Sequence, residues 1–264
     1  AAGDHFLKAQ GRTTAIPEAD RIRMAVVSLG LDEIAEFDPA TKIVEYRYRG
    51  VSDGLITETI AGFTDVLSRD SAAPGGGSVA ALTGALSAAL SSMVASLTFA
   101  KQGMEESKQN MESTGRDAQS LKDWFLTAVD RDTDAFNSVL SAIRLPRNTE
   151  ADRATRKTAM ATANLEATLV PLEVLERSIE ALELALVTAC DGNPNSVTDA
   201  GVAGACAIAA AEGASLNVRI NLDGLDGDTS EIIARHDRAL ARARDLGEHV
   251  AEAVEAHLTS SVAD

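Results

Sequence analysis

Asp132 is the acidic residue whose position in the chain points to chemistry. Between Leu121 and Ile143 apolar residues recur in steps of three or four, at Leu121, Phe125, Ala128, Phe136, Val139 and Ile143. The missing member of that stripe is Asp132. At about 100° per residue, Asp130 and Asp134 fall on the opposite face, toward solvent, and Asp132 points inward. A carboxylate on an apolar face is costly to ionise unless paired, and burial raises its pKa. That is the property of a group that takes up and returns protons near neutral pH. A salt bridge to an arginine of a neighbouring helix would satisfy the same position.

Two polar turns are the next candidates. Gly75-Gly76-Gly77-Ser78 opens onto an apolar helix whose free amides and dipole favour an anion or a lone-pair acceptor. No Gly-Lys-Ser/Thr follows and no strand precedes, so it is neither a Walker loop nor a dinucleotide fingerprint. Asn193-Pro194-Asn195-Ser196-Val197-Thr198-Asp199 opens a second small-residue helix, with Thr198 placed as a cap. Gly76, Gly77, Ser78, Asn195 and Asp199 are therefore candidate substrate-binding residues, and the two turns could line one pocket. Tight turns that let alanine-rich helices approach would use the same residues.

Arg144, Arg147, Arg153, Arg156 and Lys157 surround the turn at Leu145-Pro146. Arg144 and Lys157 are candidates to hold an acidic ligand, and a salt-bridged helix corner is the alternative. His5, His236, His249 and His257 show no metal-ligand spacing and are expected at the surface. Cys190 and Cys206 are too few for a disulfide framework or a zinc site and are expected as buried free thiols.

The elements that must position these residues read as helices. Pro17, Glu18 and Asp20 start a helix that Gly30 ends. The alternation over Lys42 to Tyr48 predicts a lone strand, which needs a sheet supplied from elsewhere. Helices are predicted over Asp53 to Ser68, and from about Val79 to Ala100 with Ser78 as cap. Two longer ones follow, over Ser107 to Arg144 and over Asn148 to Cys190 with a kink at Pro171. The last two are Thr198 to Glu212, then a turn around Ser215 to Asn221, and Asp228 to Leu258.

Composition agrees with a helical chain. Of 264 residues, 47 are alanine, and aromatics make up only 3%, against a β-rich fold. The 24 basic and 40 acidic side chains give a net charge of −16, which disfavours nucleic acid or an anionic membrane as partner. Val79 to Ala100 holds 22 residues without a charge, enough to cross a bilayer. Its Ala, Ser, Thr and Gly content reads instead as the central helix of a soluble bundle. No signal peptide is read at the start, and a reducing cytoplasmic location is expected.

Several of these runs resemble one family. Ala73 to Leu82, Asp130 to Phe136, Arg144-Leu145-Pro146, Val170-Pro171-Leu172, Gly192 to Val202 and Ala214 to Leu222 are similar to the formimidoyltetrahydrofolate cyclodeaminase signature. Residues 1–50 resemble the end of a formimidoyltransferase domain, chiefly through Glu18 to Gly30, Phe37-Asp38-Pro39 and Ile43 to Tyr46. The resemblance implies an all-α long-helix bundle over 51–264, preceded over 1–50 by an α/β remnant of the transferase.

The resemblance also implies a homodimer or larger homo-oligomer whose folate pocket lies between helices and near subunit contacts. The implied reaction converts 5-formimidoyltetrahydrofolate to 5,10-methenyltetrahydrofolate with loss of ammonia, in histidine degradation. Its substrate is a tetrahydrofolate derivative, with or without a polyglutamate tail, and the reaction calls for no metal. The family's acidic motif falls on Asp132. Relatives that act as 5,10-methenyltetrahydrofolate cyclohydrolases supply one alternative, and a non-catalytic folate-binding helical module is another. Phe99 to Met104 departs from the basic, tyrosine-ending stretch of the family, which puts a pocket or subunit contact there in doubt.

Overall fold

A computed structural model of the chain describes residues 1–33, 35–49 and 54–260. Ten α-helices appear among them, and no strand. The first four are short: α1 (Ala2–Ala9), α2 (Glu18–Ser28), α3 (Pro39–Lys42) and α4 (Val44–Arg49). Pro17 precedes α2, and Gly30, at φ 63, follows its last turn as expected. The strand expected over Lys42 to Tyr48 is instead the end of α3 and the whole of α4. Among the described residues no neighbouring strand offers donors and acceptors, and the backbone closes its hydrogen bonds locally. The α/β character expected of this region is therefore absent from the described residues.

The bundle consists of α5 (Ile60–Leu67), α6 (Gly76–Ala100), α7 (Lys108–Arg144), α8 (Glu150–Asp191), α9 (Val197–Leu222) and α10 (Ser230–Ser260). The helix expected from Asp53 to Ser68 is split into a 3-10 turn at Leu55–Thr57 and α5, which Thr59 caps through the Gly62 amide. Asp53 lies outside the described residues. Thr149 and Asp152 form a reciprocal capping box at the start of α8, which runs unbroken through Pro171. The turn expected at Ser215 to Asn221 is absent. There α9 continues to Leu222, and Gly213 packs against Ala80 of α6.

The long helices alternate in direction. Gly84 and Gly115 meet Phe125 and Ala95 across the α6–α7 seam, and Gly204 meets Val250 across α9–α10. The uncharged helices α6 and α9 lie side by side, flanked by α7, α8 and α10. Both are long and apolar enough to cross a bilayer. Here they are the alanine-rich centre of the bundle. Arg235 to Glu176 and Arg244 to Glu212 clamp α10 to α8 and α9 from outside.

The N-terminal segment is docked on this bundle. Glu112 of α7 accepts from the Thr14 amide at 3.0 Å and from the Thr13 and Thr14 hydroxyls, while Ser92 and Ser96 of α6 donate to the Ala15 carbonyl.

The α6–α7 seam has no slack. A Cβ on Gly84 would lie 2.5 Å from the fully buried ring of Phe125, closer than side chains pack. Gly84→Val is expected to lower stability by about 1–3 kcal/mol, read as an earlier urea midpoint with unchanged slope. An unchanged midpoint would show that the seam yields.

Candidate active site at the start of the uncharged helix

Asp132 points inward, as its helical phase requires, and meets the first turn of α6. Ser78 Oγ donates to Asp132 Oδ2 at 2.8 Å and lies 3.2 Å from Thr133 Oγ1. The helix starts at Gly76, so Ser78 sits in its third position and is not the cap that the sequence suggested. Its hydroxyl is released for Asp132. Gly77 makes the approach possible: a Cβ there would lie 2.1 Å from Asp132 Oδ1. Gly76 is exposed, so the first turn of the helix opens to solvent there.

Two effects act on the carboxyl in opposite directions. Burial penalises the charged form, and the Ser78 hydroxyl and backbone N–H favour it; burial dominates, so the Asp132 pKa is raised above the ordinary carboxylate range. The alternative, a salt bridge to an arginine of a neighbouring helix, is not found among the described residues. The neighbouring Arg131 turns outward to Glu173 at 2.8 Å.

The level of Asp132 is also where α6 begins, and the rest of α7 projects past it. Phe136 and Ile143, read as core positions, are therefore 37% and 47% exposed, since no α6 residue remains to cover them. Asp130, expected in solvent, is half-buried with its carboxylate against the backbone of Gly54. Asp134 is exposed as expected.

The second polar turn does not join this site within one chain. The Asn193 amide donates to Thr98 Oγ1, and Lys101 Nζ donates to Asn193 Oδ1 at 2.6 Å, so the turn adjoins the far end of α6. Asn195 and Asp199 are separated from Gly77 by most of that helix, about 30 Å at 1.5 Å per residue. The two small-residue helices are antiparallel, so their N-termini lie at opposite ends. Thr198 is exposed and caps nothing; Ser196 precedes α9 without a side-chain cap.

The basic cluster is at the Asp132 end. Arg147, Arg153, Arg156 and Lys157 line a cavity of about 480 Å³ with Asn164, Gly224 and Asp226. Arg144 ends α7 and is exposed, but it is not among the lining residues.

Two expectations about reactive side chains change. Cys190 and Cys206 are free, but the first is exposed and the second half-buried, and burial raises the pKa of both thiols. His236 is buried, unlike a surface histidine: Nε2 lies 2.7 Å from Ser215 Oγ and Nδ1 2.8 Å from Asp237 Oδ1. That order of groups resembles a hydrolase triad. Ser215 is only 2% exposed in the seam between α9 and α10, so the constellation ties the two helices together.

One residue of the Asp132 site escaped the sequence reading: Asn217 of α9, whose Nδ2 stands 3.5 Å from the place of a Cβ on Gly76. Its run, Ala214 to Leu222, carries the family resemblance, and that was the available signal. No group of three or more His, Cys, Asp or Glu side chains is arranged for a metal among the described residues.

Removing the Ser78 hydroxyl withdraws a donor from the Asp132 carboxylate, so Ser78→Ala is expected to raise the Asp132 pKa further, read by carboxyl-carbon NMR titration. A downward or absent shift would refute the contact. Because the folded pKa lies above the unfolded one, Asp132 favours folding below the ordinary carboxylate range. It loses that contribution as pH rises through the raised value. The stability of Asp132→Asn relative to the parent should therefore improve as pH rises across this window.

With this geometry in place, the comparisons with known proteins are specific. The sequence model described as formiminotransferase-cyclodeaminase matches residues 59–239, and that of the formiminotransferase domain matches residues 1–49. The formimidoyltransferase-cyclodeaminase of Mus musculus is 34% identical over 223 residues, 84% of this chain and 41% of that protein. The methenyltetrahydrofolate cyclohydrolase of Methylorubrum extorquens is 36% identical over 199 residues, 75% of this chain and 96% of that one. The crystal structure of formiminotetrahydrofolate cyclodeaminase from Thermotoga maritima shares the fold, with a TM-score of 0.69 at 24% identity over 76% of this chain and 98% of that one. The chain spans 41% of the length of its mouse relative. Matched along its helical part by the family's own sequence model and by relatives above 30% identity, the chain belongs to the formiminotransferase-cyclodeaminase family.

Proposed function

We propose that this chain cyclises 5-formimidoyltetrahydrofolate to 5,10-methenyltetrahydrofolate and releases ammonia. The observation that carries this reading is the partly buried Asp132 carboxyl, held by Ser78 over the exposed N-terminal turn of α6. In the reaction N10 attacks the amidinium carbon within one molecule, forming the N10–C bond and a tetrahedral centre. Holding the two groups together supplies much of the rate. Asp132 takes the N10 proton and passes it to the amino group. The C–N bond to that group then breaks, ammonia leaves, and the positive charge remains on the methenyl carbon. A carboxyl with a raised pKa suits both transfers, and its anionic form stabilises the cation between them.

The cavity lined by Arg153 and Lys157 lies farther along the same end and suits the carboxylates of the folate tail, including a polyglutamate extension. Purified protein is expected to yield methenyl absorbance with one equivalent of ammonia, and Asp132→Asn to lower kcat by about 10²–10⁴-fold. Lys157→Ala is expected to raise KM for a polyglutamylated substrate more than for the monoglutamate. The match to a cyclohydrolase favours a second reading, hydrolysis of the methenyl compound at the same site. Methenyl hydrolysis with no ammonia release from the formimidoyl substrate would select it, and binding without turnover of either would leave a folate-binding module.

A homo-oligomer is part of the proposal. Leu86, Met93 and Leu97 of α6 and Val202, Leu216 and Ile220 of α9 are exposed on two adjacent helices of the chain, Leu216 by 61% and Ile220 by 69%. Contiguous apolar surface of this kind favours association. A second copy laid antiparallel on this face would carry its Asn195 and Asp199 turn toward Asp132, whereas the chain's own copy of that turn lies at the far end of α6. Sedimentation is expected to show a dimer or larger species that Leu97→Glu with Leu216→Glu dissociates, with loss of activity. A fully active monomer would sink this part.

A further inference from the structure

The mouth above Gly76 has a second polar wall that the proton transfers do not use. Asp132 reaches the first turn of α6 from α7, against Gly77, and Asn217 reaches the same turn from α9, against Gly76. Asn217 is half-buried, and its Nδ2 donates to the Gly213 carbonyl one turn back on its own helix at 2.8 Å. That bond engages one hydrogen of the amide and settles which end is nitrogen. Among the described residues Oδ1 accepts no hydrogen bond; Nδ2 is the amide atom nearest Gly76, and Oδ1, with both lone pairs available, is the farther end of the same amide. Asparagine is a poor residue for a helix interior, and packing here does not call for it. Gly76 leaves ordinary contact distance even for a Cβ.

We propose that Asn217 binds the leaving nitrogen of the substrate, accepting an amidine N–H on Oδ1 and turning that nitrogen toward Asp132. This rests on the cyclodeaminase reading and assigns a separate task within it. A carboxylate at this position would compete for the proton that the amine must receive. An amide carbonyl has the same directionality and, near neutral pH, no affinity for the proton. The contact also discriminates by chemistry: a 5-formimidoyl group offers N–H, whereas a 5-formyl group offers only a carbonyl oxygen at the same place. Oδ1 is then a specificity determinant for a nitrogen-bearing one-carbon unit.

Asn217→Leu keeps the approximate shape and removes the acceptor. With 5-formimidoyltetrahydrofolate it is expected to lower kcat/KM by about 10–100-fold, the range for a hydrogen bond to a charged group. The thermal midpoint should be unchanged or slightly higher, since leucine is the better helix former. Binding is measured without turnover in the Asp132→Asn background, comparing the Kd of 5-formimidoyl- and 5-formyltetrahydrofolate. The preference for the formimidoyl compound is expected to fall about tenfold when Asn217→Leu is added. A variant that keeps both the parent's kcat/KM and its preference overturns the assignment, as does a loss confined to the thermal midpoint. Parent protein that prefers the formimidoyl ligand through Asn217 but does not turn it over would sink the cyclodeaminase reading and keep only the N–H contact on Oδ1. Parent protein that binds neither folate would sink both.

Discussion

The structure depends on how closely α6 can be approached from two sides. Glycines mark the seams that serve it at successive levels: Gly115 of α7 meets Ala95, Gly84 lies under Phe125, and Gly77 lies under Asp132, while Gly213 of α9 meets Ala80. A helix with no charged and few bulky side chains lets its neighbours close to contact, and little space is left to absorb an added atom. The device that packs Phe125 in the middle of the bundle also places a carboxylate at its end. Core and site are two levels of one seam.

Where α6 begins, its neighbours continue. Upper α7, the start of α8 and the end of α9 pass the Gly76 level, so the N-terminus of α6 becomes the floor of an opening walled by Asp132 and Asn217. Burial raises the pKa of Asp132 although a helix N-terminus and the Ser78 donors favour its anion. The two influences oppose each other, and burial prevails. Beyond the opening, the cavity of Arg147, Arg153, Arg156 and Lys157 reverses the sign of a chain whose net charge is −16. The charge of the chain as a whole is thus locally reversed at this end of the bundle.

Much of the bundle could be read from the chain because its signals are local. Helical phase singled out Asp132, Pro146 marked the end of α7, and the absence of charge marked α6. The errors share a cause as well. Lys42 to Tyr48 alternates like a strand, but a strand exists only by virtue of a partner. Ser78 has a capping residue's chemistry, yet the carboxylate 54 positions later took its hydroxyl. Phe136 and Ile143 keep the apolar period past the point where α6 stops. His236 stands among charged neighbours in sequence, yet it is buried with Nε2 against Ser215 of another helix.

By itself the sequence determined the helical class, the order and approximate span of the long helices, and the inward phase of Asp132. Each follows from periodicity and breakers within a few turns of chain. Only the tertiary structure decided which ends of those helices meet. The direction of one helix relative to another follows from packing between residues dozens of positions apart. An antiparallel α6 and α9 therefore separate the glycine turn from the asparagine turn. The same arrangement brings the far end of α9, with Asn217, to the mouth above Gly76.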